Sequence, residues 1–266
     1  MTKLWNNIQI FFASARLSYI ALFRWLRPST YIASKIIMPL SQILFFTYLG
    51  ISADGRESAS FYILGNAVQM TAISGIYGVT MSVGGDRWMG TLPYLFGVPA
   101  NRLVMFLGRA FMHIIDGFLG VIIGLVWGVI LLDLELSHAD PLALMLTILI
   151  TTISTAGLGL VLGALSLITV NVMFVNNTVY FLLLAISGAN IPVDELPGWL
   201  QPISQIIPLT RGIESVRRIA AGDSLGDIAG LLAGEMLIGG VYIALGYTVF
   251  RWFEHQARVH GTLETV

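Results

Sequence analysis

The sequence predicts an all-α membrane protein with six transmembrane helices, and three observations point to this fold class. First, 56% of the 266 residues are hydrophobic and only 11% are charged. Second, apolar stretches long enough to cross a bilayer, about 20 residues for a core of about 30 Å, recur along the chain. Third, lipid cannot hydrogen-bond to open backbone groups, so each stretch is expected to be a helix.

The chain is predicted to form a single transmembrane domain, residues 1–266. Residues 1–29 precede the first span, residues 30–250 hold the six-helix bundle, and residues 251–266 form a cytoplasmic tail. Some stretches exceed about 20 residues, which predicts tilted helices or ends that emerge into water. The predicted spans are Tyr31–Gly50, Phe61–Val83, Phe106–Leu132, Leu142–Ile168, Val172–Ile191 and Ala229–Phe250.

The distribution of Lys and Arg predicts the orientation of the spans. The segment before the first span carries four basic residues and no acid, and the next loop on the same side carries Arg87 and Arg102. The loop between spans three and four carries three acids and no basic residue. Both termini are therefore predicted to face the cytoplasm. The segment before the last span departs from this bias with Arg211, Arg217 and Arg218, beside five acids.

Residues 4–26 are apolar but interrupted by charge, which is typical of an amphipathic helix at the membrane interface. Their apolar side chains recur at helical spacing, whereas Asn6, Gln9, Arg16 and Arg24 lie largely elsewhere. A frayed beginning of the first span is the alternative. Pro28 separates the two segments and favours the interfacial helix.

Residues 187–227, which we call the re-entrant segment, contain four prolines yet stay apolar. A broken apolar backbone near a membrane requires burial against protein. The segment is therefore predicted to form short helices that dip back from the outer face before the last span.

The loop between spans two and three is predicted to contain a short cytoplasmic helix lying flat on the membrane. Leu92, Leu95 and Phe96 fall on one face of that helix, between Gly84 and Phe111. Such a helix can serve as a binding surface for a cytosolic partner. An ordinary loop at the membrane interface is the alternative.

Two motifs in this order and spacing resemble the permeases of the ABC type-2 transporters. The first resembles the pattern Glu-Arg-x-x-Gly-Thr-Leu followed by Pro, with Asp86 in place of Glu and Pro93 where an acid often follows. The second is the stretch 191–200 with the Pro-Leu-Thr step at 208–210. The residues that match the first motif, in the coupling segment (residues 86–102), are Asp86, Arg87, Gly90, Thr91, Leu92, Pro99 and Arg102.

The resemblance implies the membrane subunit of an exporter in a bacterial or archaeal cytoplasmic (inner) membrane. Two such subunits, identical or paralogous, form the pathway, and two copies of a cytosolic ATPase that bind ATP and Mg drive it. The residues agree with this division, because a phosphate-binding P-loop needs a Lys followed by Ser or Thr. The lysines are Lys3 and Lys35, followed by Leu and Ile. The chain is therefore expected to be no enzyme and to bind no cofactor itself.

Charged residues within predicted spans are costly to bury, at roughly 2.5–3.5 kcal/mol for a central charge. Lys35 in the first span is expected to extend its ammonium group to the inner interface. Arg109, His113 and Asp116 share one face of the third span by their spacing, and Glu235 lies in the sixth. Arg109, His113 and Asp116 are interpreted either as a proton relay or cargo anchor or as a cluster whose members pair with one another. Glu235 is expected to pair with Arg217 or Arg218.

Amides are cheaper to bury than charges and still offer hydrogen bonds. Asn66 and Gln69 on the second span and Asn176 and Asn177 on the fifth are therefore candidates for the pathway. Hydrogen bonding between helices is the equally open alternative. In the resembling family, helices two and five line the pathway.

The first outer loop is too short for a large external domain, so the exported molecule is expected to be a small amphiphile, a lipid or a polysaccharide. A translocation pathway that is mostly apolar with a few amides favours hydrophobic or amphiphilic drugs, antibiotics or lipids. Antibiotic efflux is therefore expected. Export of polysaccharide or glycolipid is the alternative within the class. A channel outside the ABC class and an intramembrane enzyme are less favoured functions. The net charge of -1 argues against nucleic acid. The absence of cysteine excludes thiol chemistry and Cys-based metal sites, and no metal site is expected.

Overall fold

The structure is a computed structural model of the chain that describes residues 2–25, 27–88, 90–91, 94, 97, 100–167 and 171–260. It gives the backbone alone for residues 2–3, 21–25, 86–88 and 257–260. All regular secondary structure in the described ranges is helical, which confirms the predicted all-α class.

The chain folds into long helices joined by short connections, with two shorter helices before the last one. A π-helical turn (Ile73–Gly78) joins α3 to α4, and 3₁₀ turns occur at Arg56–Ser58 and Val193–Glu195. The α-helices of the described ranges are α1 (Thr2–Trp25), α2 (Pro28–Asp54), α3 (Ala59–Ala72), α4 (Val79–Trp88), α5 (Arg102–Leu131), α6 (Pro141–Leu165), α7 (Val172–Ile186), α8 (Gln201–Ile206), α9 (Thr210–Ala220) and α10 (Ala229–His260).

Four helices in the described ranges are long and apolar enough to cross a membrane: α2, α5, α6 and the part Ala229–Gln256 of α10. Helix α7 is apolar but has only 15 residues. Helices α3 and α4 form one unbroken helical run through the π turn. A helix therefore lies at each predicted span, whereas six membrane crossings remain a prediction.

Capping side chains explain why two of these helices begin where they do. The Asn101 Oδ1 accepts hydrogen bonds from the backbone N–H groups of Leu103 and Val104, so α5 begins at Arg102 rather than at the predicted Phe106. Such caps satisfy donors that the first helical turn leaves open. Asp140 caps α6 in the same way, before Pro141.

Helix α7 ends five residues before the predicted boundary at Ile191, so that part of the prediction is wrong. The chain bends at Ser187 and adopts a positive φ of 84° at Gly188. Glycine tolerates this conformation because it has no Cβ. The apolar residues beyond Gly188 continue the hydrophobic pattern without continuing the helix.

Successive long helices run in opposite directions, so the bundle has two ends. We call one the Arg102 end, where α4 ends and α5 begins, and there Gly84 lies against Ser166 at the end of α6. The opposite one is the Arg217 end, where α2 ends, α3 begins and α9 lies. Tyr62 donates a hydrogen bond of 2.7 Å to Asp54 there.

Helix α1 packs along α5 near the Arg102 end. The Phe11 and Phe111 rings lie 5.2 Å apart between centroids, and the carbonyl of Phe11 lies close to Gly108. Leu4 and Trp5 on another face are 70% and 63% exposed. The two faces fit the predicted amphipathic helix, and its place at the membrane interface remains a prediction.

The re-entrant segment contains two short helices, α8 and α9. Gly212 at the beginning of α9 lies against Thr151 of α6. The guanidinium carbon of Arg217 lies 3.5 Å from the centroid of the Phe61 ring on α3. Helix α9 therefore rests on the bundle from one side, and its depth in the membrane remains a prediction.

Glycines allow the central helices to approach closely, as their spacing predicts. Gly159 of α6 lies against the carbonyl group of Gly75 in the π turn, and Gly163 lies against Val83. Gly124 and Gly128 of α5 lie against Ala67 and Ile63 of α3. At the sixth span the expected contact is made only in part, because Gly234 contacts Arg211 whereas Gly230 faces open space.

The Gly159→Ala substitution is expected to destabilise the protein, because the added Cβ would overlap the carbonyl group of Gly75. Overpacking of this kind costs about 1–3 kcal/mol. The measurement is the thermal midpoint of the purified protein in detergent. Gly240→Ala is the matched control, since a Cβ there meets nothing within 4 Å. Equal midpoints for the two variants would contradict the packing described here.

Candidate functional site

A buried ion pair joins α2 to α5 in the half of the bundle nearer the Arg102 end. The Lys35 ammonium lies 2.5 Å from the Oδ2 atom of Asp116, and the two side chains are 19% and 11% exposed. Two opposite charges in hydrocarbon require each other, because either one alone is strongly disfavoured there.

The Asp116 carboxylate also accepts two hydroxyl hydrogen bonds. Ser74 donates to Oδ2 at 2.5 Å, and Tyr31 donates to Oδ1. Lys35 makes a further hydrogen bond of 3.2 Å to the Ser74 hydroxyl. Both carboxylate oxygens are therefore satisfied, as a buried charge requires.

Ser74 reaches this site from the π-helical turn. A π turn holds more residues than an α turn, and such turns are frequent at functional sites. Gly75 and Gly78 in the same turn lie against Thr155 of α6 and His113 of α5. The turn is therefore held between two spanning helices while it offers Ser74 to the ion pair.

The expected pairing among Arg109, His113 and Asp116 is wrong in its partners. Asp116 takes its hydrogen bonds from Lys35, Ser74 and Tyr31, and Arg109 donates to the carbonyl oxygen of Ser82. His113 is buried beside Gly78, and its Nε2 atom has no hydrogen-bond partner among the described residues. The three side chains share a face of α5, but each contacts a different neighbour.

Glu235 lies apart from that cluster, near the Arg217 end, and it is fully buried. Its Oε1 atom accepts a hydrogen bond of 2.8 Å from the backbone N–H of Leu209. Leu209 has a φ of 103°, which is costly for a residue with a side chain. Glu235 thus holds a strained turn at the beginning of α9.

The expected pairing of Glu235 with Arg217 or Arg218 is also wrong. Arg217 donates to the carbonyl oxygens of Gly188 at 2.8 Å and Ala189 at 3.1 Å, and to that of Phe61. Arg218 pairs with Asp223 at 2.6 Å. Arg217 is thus held by backbone carbonyls, two of which follow the end of α7, and Arg218 by a carboxylate five residues later in the chain.

Two of the amide candidates lie in a buried polar seam between α2, α3 and α7. Asn66 donates to Asn190 at 2.7 Å and accepts from Gln42 at 3.2 Å. Gln42 in turn accepts from the hydroxyl of Tyr180 at 2.8 Å. Gln69, deeper in the bundle, accepts a longer hydrogen bond from Ser187. The geometry of Asn66 and Gln69 therefore matches hydrogen bonding between helices.

The other two amides lie side by side on α7 in different surroundings. Asn177 is exposed and accepts a hydrogen bond of 2.7 Å from the Tyr77 hydroxyl. Asn176 is fully buried, and neither its amide oxygen nor its amide nitrogen has a partner among the described residues. The Tyr77 and Tyr180 rings lie 5.8 Å apart on the same side. Asn177 therefore belongs to an open aromatic face, and Asn176 to a closed interface.

The coupling segment is described in part. Leu92 and Pro99 lie outside the described residues, and Asp86 and Arg87 belong to α4 by their backbone. Gly90 has a φ of 64° and open space around it, and Thr91 is exposed. Gly90 therefore marks a turn directly after α4 that favours glycine.

Arg102 is buried, which its place in the motif did not indicate. Its Nε atom lies 3.0 Å from Oε1 of Glu254 on α10, and Arg251 lies 2.9 Å from Oε2 of the same carboxylate. The Arg102 and Glu254 side chains are 8% and 4% exposed. The end of the coupling segment is thus tied to the last helix.

Sequence reasoning missed Lys35, Tyr31, Ser74 and Glu254 as functional residues. A signal existed for Lys35, because one lysine inside an apolar span requires an acid at similar depth, and Asp116 offers it. Glu254 follows Arg251 by three residues, which indicates a pair on one helix face. The π turn that presents Ser74 has no comparable signal.

Outside the spanning helices, the turn before α10 is held by Asp227. The Ser224 hydroxyl and backbone N–H both donate to its carboxylate, at 2.6 and 3.0 Å. These hydrogen bonds lower the pKa of Asp227 below its ordinary value. The turn fixes where α10 begins.

Removing one charge of the Lys35–Asp116 pair is expected to destabilise the protein more than removing both. A buried pair that loses one member costs about 3–5 kcal/mol, whereas an apolar pair of similar volume is often neutral. The comparison is between Lys35→Met, Asp116→Leu and the double variant, by thermal midpoint in detergent. A double variant as unstable as the sum of the two single variants would contradict the pairing.

Comparison with known proteins agrees with these features. A sequence profile of the family described as ABC-2 type transporter matches residues 15–220. The daunorubicin resistance ABC transporter permease protein DrrB1 of Streptomyces coeruleorubidus is 26% identical over 196 residues, which cover 70% of this chain and 67% of that protein.

Two further relatives are named probable multidrug ABC transporter permease YbhR, from Escherichia coli K12 and Escherichia coli O157:H7. Each is 28% identical over 171 residues, which cover 63% of this chain and 46% of the relative. The aligned region is thus less than half the length of these relatives. The family profile covers well over half of this chain. The chain therefore belongs to the ABC-2 type transporter family.

Proposed function

We propose that the chain is the membrane subunit of an ATP-driven exporter for hydrophobic or amphiphilic cargo, such as a drug, an antibiotic or a lipid. The observation that carries the proposal is the family match across residues 15–220, which includes the coupling segment and most of the re-entrant segment. The names of the relatives, which refer to daunorubicin resistance and multidrug transport, support the cargo class. Two copies of the subunit, or this chain with a paralogue, form the pathway.

The proposed topology has six crossings of a bacterial or archaeal cytoplasmic membrane, with both termini and the Arg102 end in the cytoplasm. The run from α3 through α4 contains 14, 6 and 10 residues in succession, enough for a tilted span. Helix α7 rises only about 22 Å, at 1.5 Å per residue. The apolar residues after it complete the fifth crossing.

Energy comes from a separate chain in this proposal. Neither lysine is followed by Ser or Thr, so the chain lacks the P-loop lysine that reaches the phosphates of ATP. Two copies of a cytosolic ATPase therefore bind ATP and Mg at the Arg102 end. Their contact is the coupling segment, where Gly90 and Thr91 are exposed.

Closure of the ATPase dimer pushes on the coupling segment and tilts the helices that flank it. Gly90 allows the chain to turn sharply after α4, so a push there is passed to α4 and α5 together. Asp86, Arg87, Leu92 and Pro99 are proposed to make or shape this contact. Arg102 acts from inside, because its side chain is buried against Glu254.

The cargo surface is proposed to lie on α7 and the π turn. Asn177 and Tyr77 offer hydrogen bonds beside the Tyr180 ring, and Phe181 is 65% exposed. A mostly apolar surface with a few oriented polar groups suits an amphiphile. Asn176 joins this surface when α7 separates from its neighbours, because only then does its amide gain partners.

Export of polysaccharide or glycolipid is the second candidate, and the aromatic face favours it. The exposed Phe181 ring and the half-buried Tyr77 ring offer faces on which apolar sugar faces can stack, and the buried Tyr180 ring lies beside both. A lipid-linked sugar combines both cargo types. The stimulation of ATP hydrolysis by each cargo class separates the two candidates.

A channel and an intramembrane enzyme both lose support. Family membership and the coupling segment argue against a channel outside the ABC class. An intramembrane enzyme built on Arg109, His113 and Asp116 would need the acid free to take a proton. Asp116 is instead held by an ammonium and two hydroxyl groups.

The topology is tested by labelling single cysteines in a chain that has none of its own. Tyr94→Cys at the coupling segment is expected to react with a membrane-impermeant maleimide only after the cells are permeabilised. Trp199→Cys in the re-entrant segment is expected to react in intact cells. Both residues are largely exposed, at 78% and 70%. The cysteine-free parent is the control, and the opposite pattern would overturn the topology.

Coupling is tested with the chain and its ATPase reconstituted in vesicles. Gly90→Val is expected to abolish the stimulation of ATP hydrolysis by an anthracycline while both subunits still co-purify, because a β-branched residue disfavours the positive φ. Asn177→Leu is expected to weaken the stimulation and leave basal hydrolysis unchanged.

The matched control for the coupling test is Gly230→Val, at a position that also faces open space but lies at the Arg217 end. It is expected to behave as the unmodified protein. Full anthracycline stimulation in Gly90→Val would contradict the role of the coupling segment. Failure of the chain to co-purify with any ATPase would overturn the proposed function.

A further inference from the structure

We propose that α10 is a rigid link between the two ends of the bundle, and that Glu254 is the positioning residue that attaches it to the coupling segment. Glu235 attaches the other end of the same helix to the turn at Leu209. The inference rests on the proposed function in one respect: the ATPase acts at the Arg102 end. The attachment itself follows from the contacts of the described residues.

The attachment at the Arg102 end is a buried charge pair in an unfavourable place. Arg102 occupies the first turn of α5, where the helix dipole disfavours a positive charge. It is nevertheless buried, with its Nε atom 3.0 Å from Glu254. Glu254 therefore compensates a charge that neither the helix nor the lipid favours, and loss of Glu254 leaves Arg102 without that compensation.

An aromatic contact strengthens this attachment one turn further into the bundle. Phe106 on α5 and Phe250 on α10 lie four residues from Arg102 and Glu254, on the same helix faces. Their ring centroids are 5.0 Å apart, and both side chains are buried. Two successive turns of α5 are thus fixed against two successive turns of α10.

Between its two carboxylates, α10 is packed tightly along α6. Gly239 lies against the backbone of Ser154, and Gly246 lies against the backbone of Leu160 and Val161. Gly157 of α6 lies against the carbonyl group of Gly239. With backbones in contact at several levels, α6 and α10 move as one body rather than bending separately.

The length of this link matches the thickness of a bilayer. Glu235 and Glu254 are 19 residues apart on an unbroken helix, which corresponds to about 28 Å at 1.5 Å per residue. The hydrocarbon core measures about 30 Å. The two carboxylates therefore lie near opposite faces of the membrane.

At the Arg217 end, the link holds the entry into α9. Leu209 has a φ of 103°, and its N–H donates to Glu235 at 2.8 Å. Gly212, three residues later, lies against Thr151 of α6. The strained turn thus rests on the α6–α10 pair, so displacement of that pair changes the support on which the strain depends.

These contacts form one path from Arg102 through Glu254 and α10 to Leu209. A push on the coupling segment that moves the beginning of α5 is passed to α10 through two side-chain contacts. Helix α10 passes it to the re-entrant segment, which is proposed to lie at the outer face. Coupling at both faces therefore requires Glu254, although Glu254 contacts no cargo.

The test measures the accessibility of a residue at the Arg217 end while a substitution is made at the Arg102 end. Ser204 is fully buried in α8 and lies within hydrogen-bond distance, 3.5 Å, of Thr210. Ser204→Cys is introduced into the cysteine-free chain, and its rate of labelling by membrane-permeant N-ethylmaleimide is measured in membranes without nucleotide. Adding Glu254→Gln is expected to raise that rate severalfold, because the turn at Leu209 loses fixed support.

A second reporter separates the link from general loosening of the fold. Thr47→Cys is equally buried at the same end of the bundle, but on α2, which is not part of the path. Its labelling rate is expected to stay unchanged in Glu254→Gln. Faster labelling at both positions, or at neither, overturns the proposal.

Matched variants complete the test. Arg251→Gln removes the more exposed partner of Glu254 and is expected to leave both labelling rates unchanged. Arg102→Gln breaks the same attachment from α5, is expected to act as Glu254→Gln does, and replaces it where that variant does not fold. The readout needs neither ATP nor cargo. If cargo does not stimulate ATP hydrolysis by the complex of the unmodified chain, the proposed function is contradicted. If Glu254→Gln leaves the labelling rate of Ser204→Cys unchanged, the link is contradicted.

Discussion

Lipid offers no hydrogen-bond partner, so a charge buried inside this bundle needs partners from other parts of the chain. The constraint is strictest at Asp116, whose carboxylate is held by groups from α2 and from the π turn. Each of these elements has to keep its position for the carboxylate to remain satisfied. The π turn, the packing of α2 against α5 and the burial of the Asp116 charge therefore depend on one another.

Two kinds of contact divide the bundle into a fixed part and an adjustable part. Glycines bring the backbones of α6 and α10 together, and also those of α6 and the π turn. Contacts of that kind tolerate little displacement. Helix α7 is held by apolar side chains and by hydrogen bonds that can exchange partners: Tyr180 donates to Gln42, and Asn177 accepts from Tyr77. The difference agrees with a pathway along α7 beside a stable core.

Much of the fold was predictable from the sequence, because it follows from local rules. Hydrophobic length predicted where the long helices lie, and glycine spacing predicted the close contacts of α5 and those of Gly159 and Gly163. The contacts of Gly157, Gly239 and Gly246 between α6 and α10 were not predicted. The end of α7 was misplaced because apolar residues beyond Gly188 extend the pattern past a backbone that turns. Hydropathy describes burial and does not describe backbone direction.

The candidate site was predictable in its members more than in its partners. Asp116 and Glu235 are buried as expected. The partners of Asp116 come from α2 and the π turn, and that of Glu235 is a backbone N–H in the turn before α9. Partner choice depends on which helices are neighbours, and local sequence patterns do not identify those neighbours. Arg102 shows the same limit, since its motif indicates an exposed contact and only the position of α10 explains its burial.

The π turn between α3 and α4 has a consequence for how this helical run tolerates insertions and deletions over evolutionary time. The π turn contains one residue more than an α-helical turn, and its backbone groups stay hydrogen-bonded. The extra residue rotates the side chains of α4 about the helix axis relative to those of α3. A lineage that lost a residue within 73–78 would keep a continuous helix but rotate one half by about 100° relative to the other. The irregularity therefore fixes which surface α4 presents to its neighbours, independently of α3.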